Sequence, residues 1–216
     1  MTISAKARGL AFVASLAAAA YLVGLWRDWP TLRLAAKPVP VLCLLLWILD
    51  GTKDRYARLV AAGLALSMAG DALLEFPGLF VAGLGAFLCA HISYIIAFLT
   101  NASRLHLLRA VPFLFWLVPI YMKMRPGLGG MAVPVTVYVI AIGVMLWRAA
   151  AMGLARAPRR AVMGAILFGL SDTLIGLDRF HAPIPGVRYP IILLYWAGQA
   201  LIAASAFRPP RAGAAA

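Results

Sequence analysis

Charge is scarce in this chain. Only 12% of its 216 residues are Asp, Glu, Lys or Arg, and just 7 are acidic, where globular domains average about 25% charged. No polar block longer than about 20 residues separates the apolar runs, which leaves no room for a water-soluble domain. Histidine is rarer still, with 3 copies. Only His91 lies inside an apolar run, so a metal centre built on several histidines is hard to assemble. The 2 cysteines, Cys43 and Cys89, both lie in apolar runs, where a free Cys packs as a small hydrophobe. Strands of alternating polarity are missing too, which excludes a membrane β-barrel.

What is present is apolar: 64% hydrophobic residues and a mean hydropathy of +0.92. The chain reads as an integral membrane protein, one domain over residues 1–216. The net charge of +13 does not mark a nucleic-acid binder. Its Lys and Arg residues sit mostly between the apolar runs, where they orient the chain and meet lipid head groups. Lys6 and Arg8 followed by an apolar stretch resemble a signal peptide. That stretch runs from Gly9 to Trp26, longer than the usual signal core of roughly 7–15 residues, and reads as an uncleaved first span.

Continuous apolar runs fall at 9–26, 34–49, 59–75, 79–99, 107–124, 130–147, 161–177 and 190–207. Most are close to the ~17–25 residues that a helix needs to cross the hydrocarbon. The expected fold is all-α, with eight transmembrane helices and both termini on one side. That side carries 13 of the 20 Lys and Arg residues and the other carries 7. The positive-inside rule then puts both termini in the cytoplasm, for a protein of the cell's inner (plasma) membrane. Trp26, Trp29, Trp47, Trp116 and Trp147 lie near expected span ends, as an interfacial belt would have it. A weak internal echo aligns "GLALSMAGDALLEF" with "GAILFGLSDTLIGL" and points to two four-helix repeats.

The intramembrane polar residues are scattered along the sequence but converge in depth. Asp71 and Glu75 close the third run, and Ser171 and Asp172 come late in the seventh. Lys37 opens the second. His91 lies about 18 Å into the fourth, at 1.5 Å per residue. Tyr195 and Gln199 occupy the first half of the eighth. All therefore fall in the non-cytoplasmic half or the membrane middle. Asp71 and Glu75, His91 and Tyr94, and Tyr195 and Gln199 are each spaced to share a helix face. A charge at the centre of a span costs about 2.5–3.5 kcal/mol on insertion scales, so these groups should face inward. Asp71 and Asp172, at similar depth on different spans, are expected to be partners. Blander roles stay open. Glu75 precedes the turn Phe76-Pro77-Gly78 and can reach head-group water. Lys37 can snorkel to the interface, hold a phosphate or pair with a carboxylate. Ser171 can be a helix-packing serine rather than a nucleophile.

The stretches "AAKPVPVLCLLLW", "SMAGDALLEF", "GLGAFLCAHISYIIAF", "GAILFGLSDTLIG" and "YWAGQALIAAS" together resemble the YhhN family of membrane proteins. The resemblance covers nearly the whole chain. It implies an eight-helix hydrolase that cleaves the vinyl ether of lysoplasmalogens, giving a fatty aldehyde and glycerophosphoethanolamine or glycerophosphocholine. Carried over by motif, the site residues are Lys37, Asp71, His91, Tyr94, Ser171, Asp172, Tyr195 and Gln199. The partners implied are a lysophospholipid substrate and membrane lipid, with no metal or other cofactor.

The chemistry fits those residue types. A vinyl ether hydrolyses when a proton adds to its β-carbon, water captures the oxocarbenium ion, and the hemiacetal collapses. One protonated acid and one water-orienting base suffice, as in glycosidases. Asp172 is expected as acid and Asp71 as base, with His91 assisting and Lys37 on the phosphate. Two other readings stay open. Buried acids and a histidine also build proton relays in transporters or line lipid-binding proteins. Aspartates can also hold a metal in a lipid amidase.

Overall fold

The computed structural model of the chain describes residues 4–102, 104–153 and 155–207. Among these residues the secondary structure is helical, with no strand. The helices are α1 (Ala5–Trp26), α2 (Pro30–Ala36), α3 (Val39–Gly51), α4 (Arg55–Leu74), α5 (Phe80–Leu99), α6 (Val111–Met124), α7 (Ala132–Ala151), α8 (Arg156–Phe180) and α9 (Arg188–Ser205). Ser4 and Asp54 start α1 and α4 by accepting the backbone N–H three residues on, at 3.1 and 2.7 Å. Each satisfies an amide that the first helical turn leaves unpaired.

Among the described residues seven helical stretches are long and apolar enough to cross a membrane, so the protein is a multi-pass membrane protein. α2 and α3 join into one of them, Pro30–Gly51, which begins earlier than the short run expected from residue 34. α9 is not among the seven. It is 18 residues long, but Arg188, Pro190 and Gln199 dilute its apolar content. One face of α9 is buried instead, through Ile192, Tyr195, Gln199 and Ile202.

The bundle carries its apolar side chains outward. Leu108, Phe115 and Val133 are 85%, 79% and 74% exposed, while Asp71, His91, Arg148, Ser171 and Gln199 are buried. Lipid tails give helices no hydrophobic reason to associate, so close packing and hydrogen bonds hold them. The tightest seams are α4 on α5 and α8 on α9. A Cβ at Gly63 would lie 2.2 Å from the Tyr94 ring. A Cβ at Gly164 would lie 2.7 Å from the carbonyl oxygen of Gly198. Gly63, Ser67 and Asp71 share one face of α4, so the glycine that admits Tyr94 also aims Asp71 inward. At the turn after α4, Gly78 has φ +83°, which a side chain would strain.

Trp116 departs from the interfacial belt expected of it. It sits mid-way along the crossing Leu107–Gly127, where a Cβ at Gly169 would lie 3.2 Å from its ring. The apolar run 107–124 already centres on this residue, so a place in the belt does not follow from the run's own bounds.

Candidate active site

Lys37 enters the bundle at a break in the helix. Pro38 and Pro40 supply no N–H, so the ladder between α2 and α3 is interrupted, although Lys37 itself stays helical and donates to Arg33. Its ammonium lies 2.9 Å from Glu75 Oε1 and 3.6 Å from Asp71 Oδ1. On the other side Tyr195 of α9 donates to Asp71 Oδ2 at 2.6 Å. Both oxygens of Asp71 thus face a partner. Glu75, 21% exposed at its side chain, turns to Lys37 rather than only to the interface.

Asp172 belongs to a second group. Tyr138 of α7 donates to its Oδ2 at 3.0 Å, and His91 Nε2 of α5 lies 3.3 Å from that same oxygen. The other ring nitrogen, Nδ1, is 2.6 Å from the Phe87 carbonyl. A carbonyl can only accept, so Nδ1 carries a proton. Nε2 of a neutral ring would then be a bare acceptor facing a carboxylate oxygen. Nε2 is accordingly a buried nitrogen with no hydrogen-bond partner among the described residues, an arrangement that a proton placed between it and Oδ2 would satisfy. No hydrogen bond among the described residues engages Asp172 Oδ1.

Asp172 and Tyr138 line a cavity of about 60 Å³ between α5, α6, α7 and α8, whose other walls are mostly apolar, among them Leu84, Phe87, Leu117 and Ile142. A water needs about 10–15 Å³ of such space and polar partners, and the carboxyl and phenol supply partners here. Asp71 is not on this cavity. The aspartates have separate partners, and Phe168 contacts both groups, 4.8 Å from the His91 ring and 5.4 Å from the Tyr195 ring, centroid to centroid. Asp71 and Asp172, expected as partners from depth, each have their own hydrogen-bond partners in two polar groups with one aromatic ring against both.

The remaining candidates join these groups from behind. Tyr94 donates to Gln199 Oε1 at 2.7 Å, tying α5 to α9. Ser171 donates to the Ile191 carbonyl at 3.0 Å, which ties α8 to α9. Tyr138 went unnoticed in the sequence because a tyrosine amid Val and Ile looks like a lipid-facing residue. Its mid-helix position was the available signal, since membrane tyrosines favour the interfaces. Among the described residues no three His, Cys, Asp or Glu side chains converge as metal ligands.

The YhhN family model matches residues 32–206. The chain belongs to the YhhN family. It is 35% identical over 181 residues to lysoplasmalogenase TMEM86B of Homo sapiens, covering 81% of this chain and 75% of that one. With lysoplasmalogenase TMEM86A of Bos taurus it shares 36% over 184 residues, 79% and 76% of the two chains. With a lysoplasmalogenase of Mycobacterium bovis it shares 36% over 164 residues, 71% and 62%. No solved structure matches. These YhhN relatives bear one hydrolase name, and the chain is accordingly an enzyme.

Proposed function

We propose that this YhhN protein hydrolyses the vinyl ether of lysoplasmalogens, releasing a fatty aldehyde and a glycerophospho head group. The observation that carries the reading is the Asp172–His91 contact at the edge of an apolar cavity. A proton held on Asp172 beside His91 would there meet the alkene carbons of a vinyl ether at the edge of the apolar space. The proton passes to the β-carbon of the alkene, and the vinyl oxygen stabilises the resulting cation. The deprotonated pair then takes a proton from a water as that water adds to the oxocarbenium carbon. The hemiacetal loses its glycerol oxygen as an alcohol, leaving aldehyde. One acid acts first as donor and then as base, the exchange of roles seen in retaining glycosidases. Tyr138 orients the carboxyl throughout.

This differs from dividing the work between two aspartates. Asp71 is engaged by Lys37 and Tyr195, so we assign it, with Glu75, to positioning: the cluster fixes Tyr195, which packs against Phe168 and Phe87 at the cavity's inner wall. Lys37 is held by carboxylates and serves them rather than a phosphate.

We place α9 across the membrane as an eighth span in one integral membrane unit. The support is its 18-residue length and its packing along α8. Both ends of the chain then face the cytoplasm, as the excess of Lys and Arg on that side favours. A reporter fused behind α9 should read as cytoplasmic and a tag in the 181–187 loop as external; both on one side would remove the eighth span.

The deciding experiment incubates purified protein with a lysoplasmalogen and measures free aldehyde, with the saturated ether analogue as control. Aldehyde from the vinyl ether alone supports the hydrolase. Binding without aldehyde supports the lipid-binding or transport reading.

A further inference from the structure

Resting on that function, we infer that the substrate lipid lies along α6, α7 and α8 with its phosphate at Arg179 and its hydrocarbon tail in the groove between α6 and α7. Three features in a row carry this.

The first is the groove. It holds about 320 Å³ on the outer side of α6 and α7, between Ala110 and Trp147 at one end and Tyr121 and Thr136 at the other. Leu114, Val118 and Ile140 on its walls are 58%, 48% and 60% exposed. Gly143 keeps it open, since a Cβ there would lie 3.2 Å from Leu117. The second feature is its continuity with the cavity at Asp172. Leu117 and Val139 line both spaces, one on each helix, so two side chains form the shared wall. α6 is suited to yield there. Pro119 lies inside it and removes one backbone hydrogen bond near Leu117.

The third is the cation at the opposite end. Phe80 and Phe180 line the outer part of the Asp172 cavity, and the Arg179 guanidinium lies 3.6 Å from the Phe80 ring centroid. Arg179 is exposed, and no ion pair among the described residues uses it. Lys37, by contrast, already faces two carboxylates. A free guanidinium is the better phosphate ligand, since it can offer paired N–H donors.

Read from the surface inward, the order is cation, carboxyl, apolar groove. A single-chain phospholipid of the vinyl ether class presents phosphate, ether and hydrocarbon in the same order. Asp172 lies 7 residues before Arg179 on α8, about 10 Å at the helical rise, which a glycerol phosphate and its ether linkage can span.

The test uses an uncleavable alkyl-ether lysophospholipid with a photoreactive diazirine near the end of its chain. Crosslinks should concentrate on 114–122 and 136–147. Arg179→Gln, at unchanged thermal stability, should cut labelling by this probe about tenfold, the weight of one charged hydrogen bond. The same variant should not change labelling by an alkylglycerol probe that lacks the phosphate. Labelling spread evenly over all lipid-facing helices, or an equal response of both probes to Arg179→Gln, overturns the site. The probe is not a substrate, so the outcome is independent of turnover. Groove labelling without aldehyde release from the vinyl ether would remove the hydrolase and leave the site. Aldehyde release without groove labelling would do the reverse.

Discussion

Asp71 and Asp172 are the same residue type on two inward-facing helices, and each accepts a hydrogen bond from a tyrosine. Their surroundings differ. Asp71 is closed in by a cation and a phenol, one at each oxygen. Among the described residues Asp172 Oδ1 has no hydrogen-bond partner, Oδ2 lies 3.3 Å from His91 Nε2, and the residue borders a cavity. A charge that is compensated on every side is a fastener. A charge that is compensated on one side and open on the other is a reagent. Under the proposed mechanism the comparison separates structure from chemistry in two sites that the sequence presents alike.

The strongest way to break the comparison is to neutralise each acid in turn. Asp172→Asn keeps shape but cannot exchange a proton, and should lower aldehyde release about 10²–10⁴-fold. Its thermal stability should stay close to that of the parent, since a neutral group in the membrane is not costly. Asp71→Asn should show the opposite emphasis, with a clear loss of stability and turnover within roughly tenfold of the parent, below the general acid–base range. Equal catalytic losses at unchanged stability would mean that the two acids work together after all.

A second test removes the fastener's cation. Lys37→Met leaves Asp71 and Glu75 facing each other without compensation, and breaking a largely buried pair in this way costs about 3–5 kcal/mol. Thermal unfolding in detergent should register that loss. Adding Asp71→Asn and Glu75→Gln to Lys37→Met should recover most of it, because no uncompensated charge remains. Failure of the triple variant to recover would assign Lys37 a role beyond pairing.

Much of the site was legible because the membrane makes polar residues conspicuous. Nothing but function or pairing keeps Asp71, His91 or Asp172 in an apolar run, and helical rise alone gives their depth. Depth is one coordinate, however. The rotation of each helix and its neighbours are set by packing, and that is how Asp71 came to pair with Lys37 and Tyr195 rather than with Asp172. Small residues such as Gly63, Gly164 and Gly198 govern that packing, and a glycine in an apolar helix carries no signal of what it will meet. Tyr138 and Arg148 escaped for different reasons. Tyr138 is amphipathic and passes for a lipid-facing residue. Arg148 sits at a helix end, where a snorkelling cation is expected. Instead it turns inward and donates to the backbone carbonyls of Ala102 and Arg104 after α5. Hydropathy read eight apolar runs, and among the described residues seven helical stretches meet the length and composition of a crossing. The eighth run, which forms α9, falls short because Arg188, Pro190 and Gln199 dilute its apolar content.

The finest test compares the two tyrosines. Tyr195 donates to Asp71 at 2.6 Å and Tyr138 to Asp172 at 3.0 Å, so Phe at either position deletes one hydrogen bond to a carboxylate and little else. Such a bond is worth about 1.5–3 kcal/mol. If Asp71 is a fastener, Tyr195→Phe spends that loss on the folded state, and thermal unfolding moves while turnover stays within about threefold, under 1 kcal/mol of barrier. If Asp172 is the reagent, its orientation matters most at the moment of proton transfer. Tyr138→Phe then lowers turnover about tenfold, equivalent to roughly 1.4 kcal/mol of barrier, and moves unfolding little, because the cavity lets water replace the lost donor. The two variants have the same chemistry and opposite readouts. Matching readouts, in either measurement, would show that the open and closed carboxylates do not differ in function, and the distinction between them would fall.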